Sequence, residues 1–299
     1  MAETTAASPP IAPKNILATT DFSPASLAAV HYAAAWARRL GAALHVANFV
    51  LPQETTVAAG YGPGVDLEAL LDSARRGLAQ VEADPLLQGL PLATHLREAT
   101  VEEGMAALIA ELHIDLVVAA SAGRRGLRKF IVGSTAEAIF RHVPCPVLLL
   151  GPGIEPHPLP ATGPATAPRQ ILFATDFGPA ATRALAFART LAQAWSSGLR
   201  LLTVLPQPDP EALQLAQADA AAARLRALLP PEARATTPVQ VEFGAAAAAI
   251  VGAAAAIPAD LIVLGARHQP AVSLYTGWAT AYQVLCHAPC PVLTVRAPA

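Results

Sequence analysis

Residues 16–25 read ILATTDFSPA, and residues 171–180 read ILFATDFGPA, 155 positions later. Two further pairs follow in the same order. The sequence DLVV at residues 115–118 returns as DLIV at 260–263, and HVPCPV at 142–147 returns as HAPCPV at 287–292. Collinear copies of this kind indicate an internal repeat of one structural unit. The chain therefore contains two copies of one domain.

The domain limits follow from the repeat and from a change in composition. Residues 152–168 are rich in proline and glycine and have no apolar periodicity, which is typical of a linker. We predict a flexible tail at 1–13, a first domain at 14–151, this linker, and a second domain at 169–299. A length of 299 residues also suits two domains of ordinary size.

Within the first copy, short apolar runs alternate with helical stretches. Ser23-Pro24 provides an N-cap followed by a proline at the first helical position, and Gly41 ends the same helix. Apolar strands that are each followed by a helix indicate a parallel sheet covered on both faces. We predict an α/β fold of two doubly wound, Rossmann-like domains, each with five parallel strands flanked by helices. In the first copy the strands are predicted at 16–19, 44–50, 93–97, 116–120 and 147–150, and the helices at 23–41, 67–83, 101–112 and 134–141.

Composition excludes several classes of partner. The 20 basic and 22 acidic residues leave a net charge of −2, so the chain has no strong field for nucleic acid or an anionic membrane. Residues 243–264 are strongly apolar, but Pro258 and Asp260 interrupt them, which favours a helix, a turn and a strand over a membrane span. Three cysteines and the lack of a signal-peptide pattern at the start lead us to expect a cytoplasmic location.

Candidate ligand-binding residues lie where strands of the first copy end, because doubly wound domains bind ligands at the carboxyl ends of their strands. Thr20 and Asp21 follow the first strand, and Asn48 and Phe49 end the second. Residues 119–135 follow the fourth strand and combine glycines, four basic residues and a Gly-Ser-Thr at a helix start, which suits a phosphate group. Helix-end electrostatics and a solvated basic loop with a serine N-cap are the structural alternatives.

Both halves resemble universal stress protein domains. The resemblance rests on the Thr-Asp-Phe-x-Pro opening, the Asp-Leu-[Val/Ile]-Val strand, the glycine-containing loop and the His-x-Pro-Cys-Pro-Val ending. Nucleotide-binding members of that family carry Gly-x2-Gly-x9-Gly-[Ser/Thr] after the fourth strand. Here Gly123 and Gly133 match that pattern, whereas Ala120 stands at the first glycine position.

The resemblance implies that ATP, with Mg²⁺, binds to the first domain. It implies that Asp21 and the backbone of Phe49 contact the adenosine, and that the loop contacts the phosphates. The residues that it assigns to the nucleotide site are Thr20, Asp21, Phe49, Ala120, Ser121, Gly123, Arg124, Gly133, Ser134 and Thr135.

The second copy departs further from the family pattern. Gly265 is retained, but His268 replaces the second glycine, and Gly277 falls one residue early with Trp278 in place of a hydroxyl residue. We therefore expect a degenerate nucleotide loop in this domain, which would serve mainly as a structural partner. The resemblance also implies that the last strands of the two domains pair as an internal pseudo-dimer, and it leaves a further homodimer open.

The leading hypothesis is a stress-response module that binds an adenine nucleotide and regulates or protects without being an enzyme, with slow ATP hydrolysis at most. The alternative is a nucleotide-independent interaction scaffold. An enzyme of the related adenine-nucleotide α-hydrolase type is disfavoured, because residues 21–24 read DFSP where such enzymes carry a glycine- and serine-rich loop. Cys286, His287 and Cys290 lack a convincing fourth ligand, so no metal site is predicted.

Overall fold

A computed structural model describes residues 12–51, 66–121, 139, 143–151, 154, 168–208, 213–266 and 278–296. The strands are β1 (Asn15–Thr19), β2 (Ala43–Val50), β3 (Leu92–Glu98), β4 (Leu116–Ala120), β5 (Val147–Leu150), β6 (Gln170–Ala174), β7 (Gly198–Leu205), β8 (Val239–Phe243), β9 (Leu261–Ala266) and β10 (Val292–Arg296). The helices are α1 (Pro24–Leu40), α2 (Leu67–Glu82), α3 (Val101–Leu112), α4 (Ala181–Trp195), α5 (Gln214–Ala227), α6 (Ala246–Ala256) and α7 (Trp278–His287). Short 3₁₀ helices cover Pro85–Leu87 and Pro231–Ala233.

The strands form one ten-stranded sheet in the order β3-β2-β1-β4-β5-β10-β9-β6-β7-β8. All pairs within each half are parallel, and β5 and β10 pair in the antiparallel direction at the centre. The predicted pair of five-stranded parallel sheets is therefore confirmed. So is the internal pseudo-dimer, because the last strands of the two halves join them.

Local sequence explains the ends of α1. Ser23 has extended backbone and its side chain accepts a hydrogen bond from the backbone N–H of Ser26, while Pro24 occupies the first helical position. Gly41 ends the helix at φ +66°, a conformation that glycine adopts without a steric penalty, and its N–H bonds to Ala37 O. The predicted start and stop signals are confirmed at both ends.

Two apolar layers cover the sheet. One face packs against α1, α2, α4 and α5, and the other against α3, α6 and α7. Small alanine side chains make this packing close. In α1 the fully buried residues Ala29, Ala33 and Ala37 bring the helix backbone close to the strands.

The two halves also meet outside the sheet. The rings of Trp36 in α1 and Trp195 in α4 have centroids 4.9 Å apart, and Arg39 Nε donates to Ala194 O at 2.8 Å. On the opposite face, Gly151 lies against the backbone of Leu285 in α7. Contacts on both faces therefore support the β5–β10 pairing.

The remaining predictions of helices and strands agree with the structure wherever the residues are described. The apolar stretch at 243–264 forms the end of β8, then α6, a turn and part of β9, as the proline and aspartate indicated. In the described part of the chain, no helix is both long and apolar enough to cross a bilayer. The helix predicted at 134–141 lies outside the described residues, apart from the helical and buried Ile139.

The junction between the halves can be tested with a pair of glycine variants. A Cβ at Gly151 would stand 2.5 Å from the Leu285 carbonyl oxygen, whereas a Cβ at Gly252 in α6 meets nothing within 4 Å. We expect Gly151→Ala to lower the free energy of unfolding by about 1–3 kcal/mol through overpacking. Gly252→Ala should raise it by about 0.5–1 kcal/mol because alanine favours the helix. Urea unfolding measures both, and equal effects would contradict the close contact at Gly151.

Candidate functional site

The order of the strands defines one switch point in the first half. From β1 the chain proceeds to β2 and β3 on one side, and β4 and β5 lie on the other. β1 and β4 are neighbours in register from Ile16↔Leu116 to Ala18↔Val118. Their carboxyl ends therefore bring residues 20–21 and 120–121, a hundred positions apart in sequence, to the place where doubly wound domains bind ligands.

The turn after β1 is held by a network of hydroxyl groups around Ser26. The Ser26 Oγ lies 3.1 Å from Thr20 Oγ1, accepts the Asp21 N–H at 3.2 Å and donates to Ser23 O at 3.0 Å. Thr20 Oγ1 in turn accepts the Phe22 N–H at 2.9 Å. Neither Ser23 nor Ser26 is among the site residues predicted from the sequence. The sequence signal for this pair is that the two serines lie three positions apart at the start of a helix.

Phe22 has the left-handed backbone conformation, with φ +61°. For a bulky side chain this costs about 1–3 kcal/mol and persists only where the surroundings enforce it. Two features enforce it here: the bond to Thr20 and the packing of the ring on Gly77 of α2, where a Cβ would stand 2.6 Å from the ring. The turn therefore holds Asp21 in a fixed position.

Asp21 places an exposed carboxylate at the end of β1. Its Oδ1 accepts the Ser23 N–H at 3.0 Å. Partial burial acts to raise the pKa of Asp21, but hydrogen bonds from the Ser23 and Ser26 side chains and from backbone N–H groups outweigh it, so the pKa lies below its ordinary value. At neutral pH the site therefore contains an ionised hydrogen-bond acceptor.

Ser121 at the end of β4 is the unusual residue of the site. Its N–H donates to Leu150 O at 2.9 Å, and only 2% of the residue is exposed. Within the described ranges, its Oγ finds no hydrogen-bond partner. An unpaired buried hydroxyl costs about 1–3 kcal/mol, so this atom is available for a partner that the described residues do not supply.

Ala120 packs into the apolar layer on the α1 side of the sheet. The second half shows where a Cβ points at this position, because Gly265 is the equivalent residue. A Cβ there would lie 3.3 Å from the Cβ of Ala180, the residue that precedes α4. By this equivalence the methyl group of Ala120 lies on the α1 side of the sheet, where it is partly buried.

The side chains of Asn48 and Phe49 both make contacts within the protein. Asn48 is buried and donates through Nδ2 to Thr20 O at 2.8 Å, which fixes the end of β2 to the turn after β1. The ring of Phe49 lies against Gly104 of α3, where a Cβ would be 2.5 Å from it. The backbone of Phe49 is the part predicted to contact a ligand, whereas this packing against α3 involves the side chain.

The remaining predicted site residues lie outside the described residues. They are Gly123, Arg124, Gly133, Ser134 and Thr135. In the second half, His268 and Gly277 also lie outside the described residues.

The second half repeats the turn with fewer hydroxyl groups. Phe177 has φ +59°, and its N–H donates to Thr175 Oγ1 at 2.9 Å, as in the first half. Thr203 Oγ1 replaces the Asn48 amide and donates to Thr175 O at 2.8 Å. Gly178 and Ala181 stand in place of the two serines, and α4 has no side-chain N-cap. The geometry of the turn is therefore preserved without the polar network.

Three cysteines lie in the described residues, all three are buried, and no disulfide joins them. Burial raises the pKa of Cys145 and of Cys290 to about 12 in each case, so neither is a thiolate at neutral pH. In the parts of the chain that the structure describes, no group of three or more His, Cys, Asp or Glu side chains could hold a metal ion.

The serine network at Asp21 makes a measurable prediction. Ser26→Ala removes one hydrogen bond that lowers the pKa of Asp21, so we expect this pKa to rise toward the ordinary value of 3.8. A carboxyl whose pKa is lowered by folding stabilises the protein above its unfolded pKa, and this stability is lost as the pH falls through the folded pKa. Carbon-detected NMR titration measures the shift, and an unchanged pKa would show that Ser26 does not act on the carboxylate.

Comparison with known proteins gives a consistent result for both halves. Residues 13–151 and 168–296 each match the model of the Universal stress protein family. Over 43 residues the chain is 46% identical to a universal stress protein of Staphylococcus haemolyticus, an alignment that covers 14% of this chain and 26% of that protein. The chain thus spans about a quarter of the length of the curated relatives that it matches.

Two solved structures match almost the whole chain. A universal stress protein from Archaeoglobus fulgidus has a TM-score of 0.66 at 19% identity, with 95% of this chain and 98% of that chain covered. One from Pseudomonas aeruginosa has a TM-score of 0.62 at 19% identity, with 95% and 94% covered. At these identities the two structures support the fold.

Proposed function

This chain belongs to the universal stress protein family in both of its halves, and we propose that its first half binds ATP, as the Mg²⁺ complex, at the β1–β4 switch point. The nucleotide regulates the module, and the second half serves mainly as its structural partner. The observation that carries the proposal is the buried Ser121 hydroxyl, which has no partner among the described residues and lies at this switch point.

The two strand ends suit different parts of a nucleotide. Asp21 is ionised at neutral pH and repels phosphate, so its carboxylate suits the hydroxyl groups of the ribose. Ser121 leads into the loop that contains Gly123, Arg124 and Gly133, whose sequence suits phosphate. We therefore place the adenosine near β1 and β2 and the phosphates near the start of this loop. When bound, ATP would bring the negative charge of its phosphates to this end of the sheet.

Ala120, which stands where the family pattern has its first glycine, is compatible with this arrangement. Its side chain is partly buried against the α1-side apolar layer, and a Cβ at the equivalent Gly265 would lie 3.3 Å from the Cβ of Ala180, just before the helix. The methyl group is therefore accommodated by apolar packing on the α1 side of the sheet.

Ser121→Ala tests the site because it should raise the stability of the nucleotide-free protein and lower its affinity for Mg-ATP. Removing an unpaired buried hydroxyl stabilises the nucleotide-free protein, so its melting temperature should rise. The same change removes a hydrogen bond to the nucleotide, so Mg-ATP should bind about fivefold more weakly, which corresponds to about 1 kcal/mol. Differential scanning fluorimetry with and without Mg-ATP measures both effects.

Ser73→Ala is the matched control, because Ser73 is an exposed serine in α2. It should change neither the melting temperature nor the response to Mg-ATP. If wild-type protein shows no response to Mg-ATP at all, the nucleotide-independent scaffold becomes the better function.

The unequal roles of the two halves can be tested by substitution of the loop glycines. We expect Gly133→Val to abolish Mg-ATP binding through its bulk near the phosphates, and Gly277→Val to leave it intact. Isothermal titration calorimetry measures the affinity and the number of sites. Equal losses in both variants would show that the second half also binds nucleotide, and multiple turnovers of ATP at enzyme-like rates would favour an enzyme.

A further inference from the structure

Two histidines meet at the outer end of the sheet in the first half. His45 lies on β2 and His95 on the edge strand β3, and the register pairs His45 with Ala93 and His95 with Ala47. The two residues are thus diagonal neighbours on the same face of the sheet. His45 Nδ1 lies 3.1 Å from His95 Nε2, and the ring centroids are 5.3 Å apart.

We propose that His45 and His95 form a binding site for a divalent transition metal of the kind that prefers imidazole, namely Zn²⁺, Ni²⁺ or Cu²⁺. At a metal–nitrogen distance of about 2.0–2.1 Å, two ligands on adjacent positions of a tetrahedral or square-planar ion stand about 2.8–3.4 Å apart. The observed separation of 3.1 Å lies within that range. The strand register therefore already sets the nitrogens at the spacing that a metal requires.

The surroundings of the pair also suit a metal. Both residues are half-buried, so solvent reaches the pair and water can occupy the remaining coordination positions. Burial lowers the pKa of both imidazoles, which favours the neutral form that binds metals. The neighbouring charge on Arg97 is offset by Glu111 of α3, whose Oε2 lies 3.0 Å from Arg97 Nη2.

Without a metal, the two rings share one N–H in an imidazole hydrogen bond. Metal binding requires the donor ring to carry its proton on the other nitrogen, so both facing nitrogens present lone pairs and no proton is released overall. Within the described residues, no third His, Cys, Asp or Glu completes a cluster here. Among these residues the site thus has two protein ligands, and water completes the coordination, so the metal is open to exchange.

This site is separate from the proposed nucleotide site. His45 lies toward the amino end of β2, whereas Asp21 and Ser121 follow the carboxyl ends of β1 and β4. Hard cations such as Mg²⁺ prefer oxygen ligands, so Mg²⁺ does not compete for two imidazoles. The two proposals can therefore fail independently.

The test is a thermal-shift titration of the full chain with ZnCl₂ and with NiCl₂ in the absence of nucleotide. We expect both metals to raise the melting temperature by several degrees at saturation, and MgCl₂ to have no effect at the same concentration. His45→Asn and His95→Asn should each weaken the apparent Zn²⁺ affinity by about tenfold or more, because a single imidazole no longer chelates.

His287→Gln in the second half is the matched control, and it should retain the full metal response. Melting temperatures in EDTA show whether each variant folds, and calorimetry should give one Zn²⁺ per chain, bound with an affinity that either substitution in the pair lowers. If the metal response persists in His45→Asn, or if His287→Gln loses as much of it, binding is adventitious and the proposal is wrong.

Discussion

The antiparallel pairing of β5 with β10 is the interaction on which the rest of the molecule depends. It joins two parallel sheets into one, in register from Val292↔Leu149 to Thr294↔Val147. Each of these strands would otherwise be the exposed edge of its half, with unpaired backbone groups. Pairing the two edges also brings α1 against α4, where Trp36 and Trp195 bury a shared aromatic contact. The second half therefore stabilises the first whether or not it binds a ligand.

Each half keeps the same strained turn after its first strand. Phe22 and Phe177 both adopt positive φ, and a threonine oxygen accepts the phenylalanine N–H in each case. Only the first half adds the two serines that bind the turn to the helix start. The retained turn belongs to the shared fold, since it directs the chain from strand to helix. The added hydroxyl groups distinguish the half to which we assign the nucleotide.

Most of the fold could be predicted from sequence because its signals are local. Helix α1 begins at Ser23-Pro24 and ends before Gly41, and both signals depend on residues within one turn of each end. The strands of the first half were predicted within two residues of their observed limits because they are continuous apolar runs between turn residues. The 3₁₀ helices were not predicted, since a single turn of three residues has no periodicity to detect.

The sequence by itself determined that the chain repeats one α/β domain and which strands end near Asp21 and Ser121. It also determined that the loop after the fourth strand of the second half differs from the matching loop of the first half. Only the tertiary structure decided that Ser121 is buried with no partner among the described residues, that the Asn48 amide donates to Thr20 O, and that Ala120 packs against the α1-side layer. It also decided that two histidines fifty residues apart meet at 3.1 Å. The physical reason is that burial and contact depend on the register between strands that are distant in sequence, whereas caps, turns and apolar runs depend on their immediate neighbours.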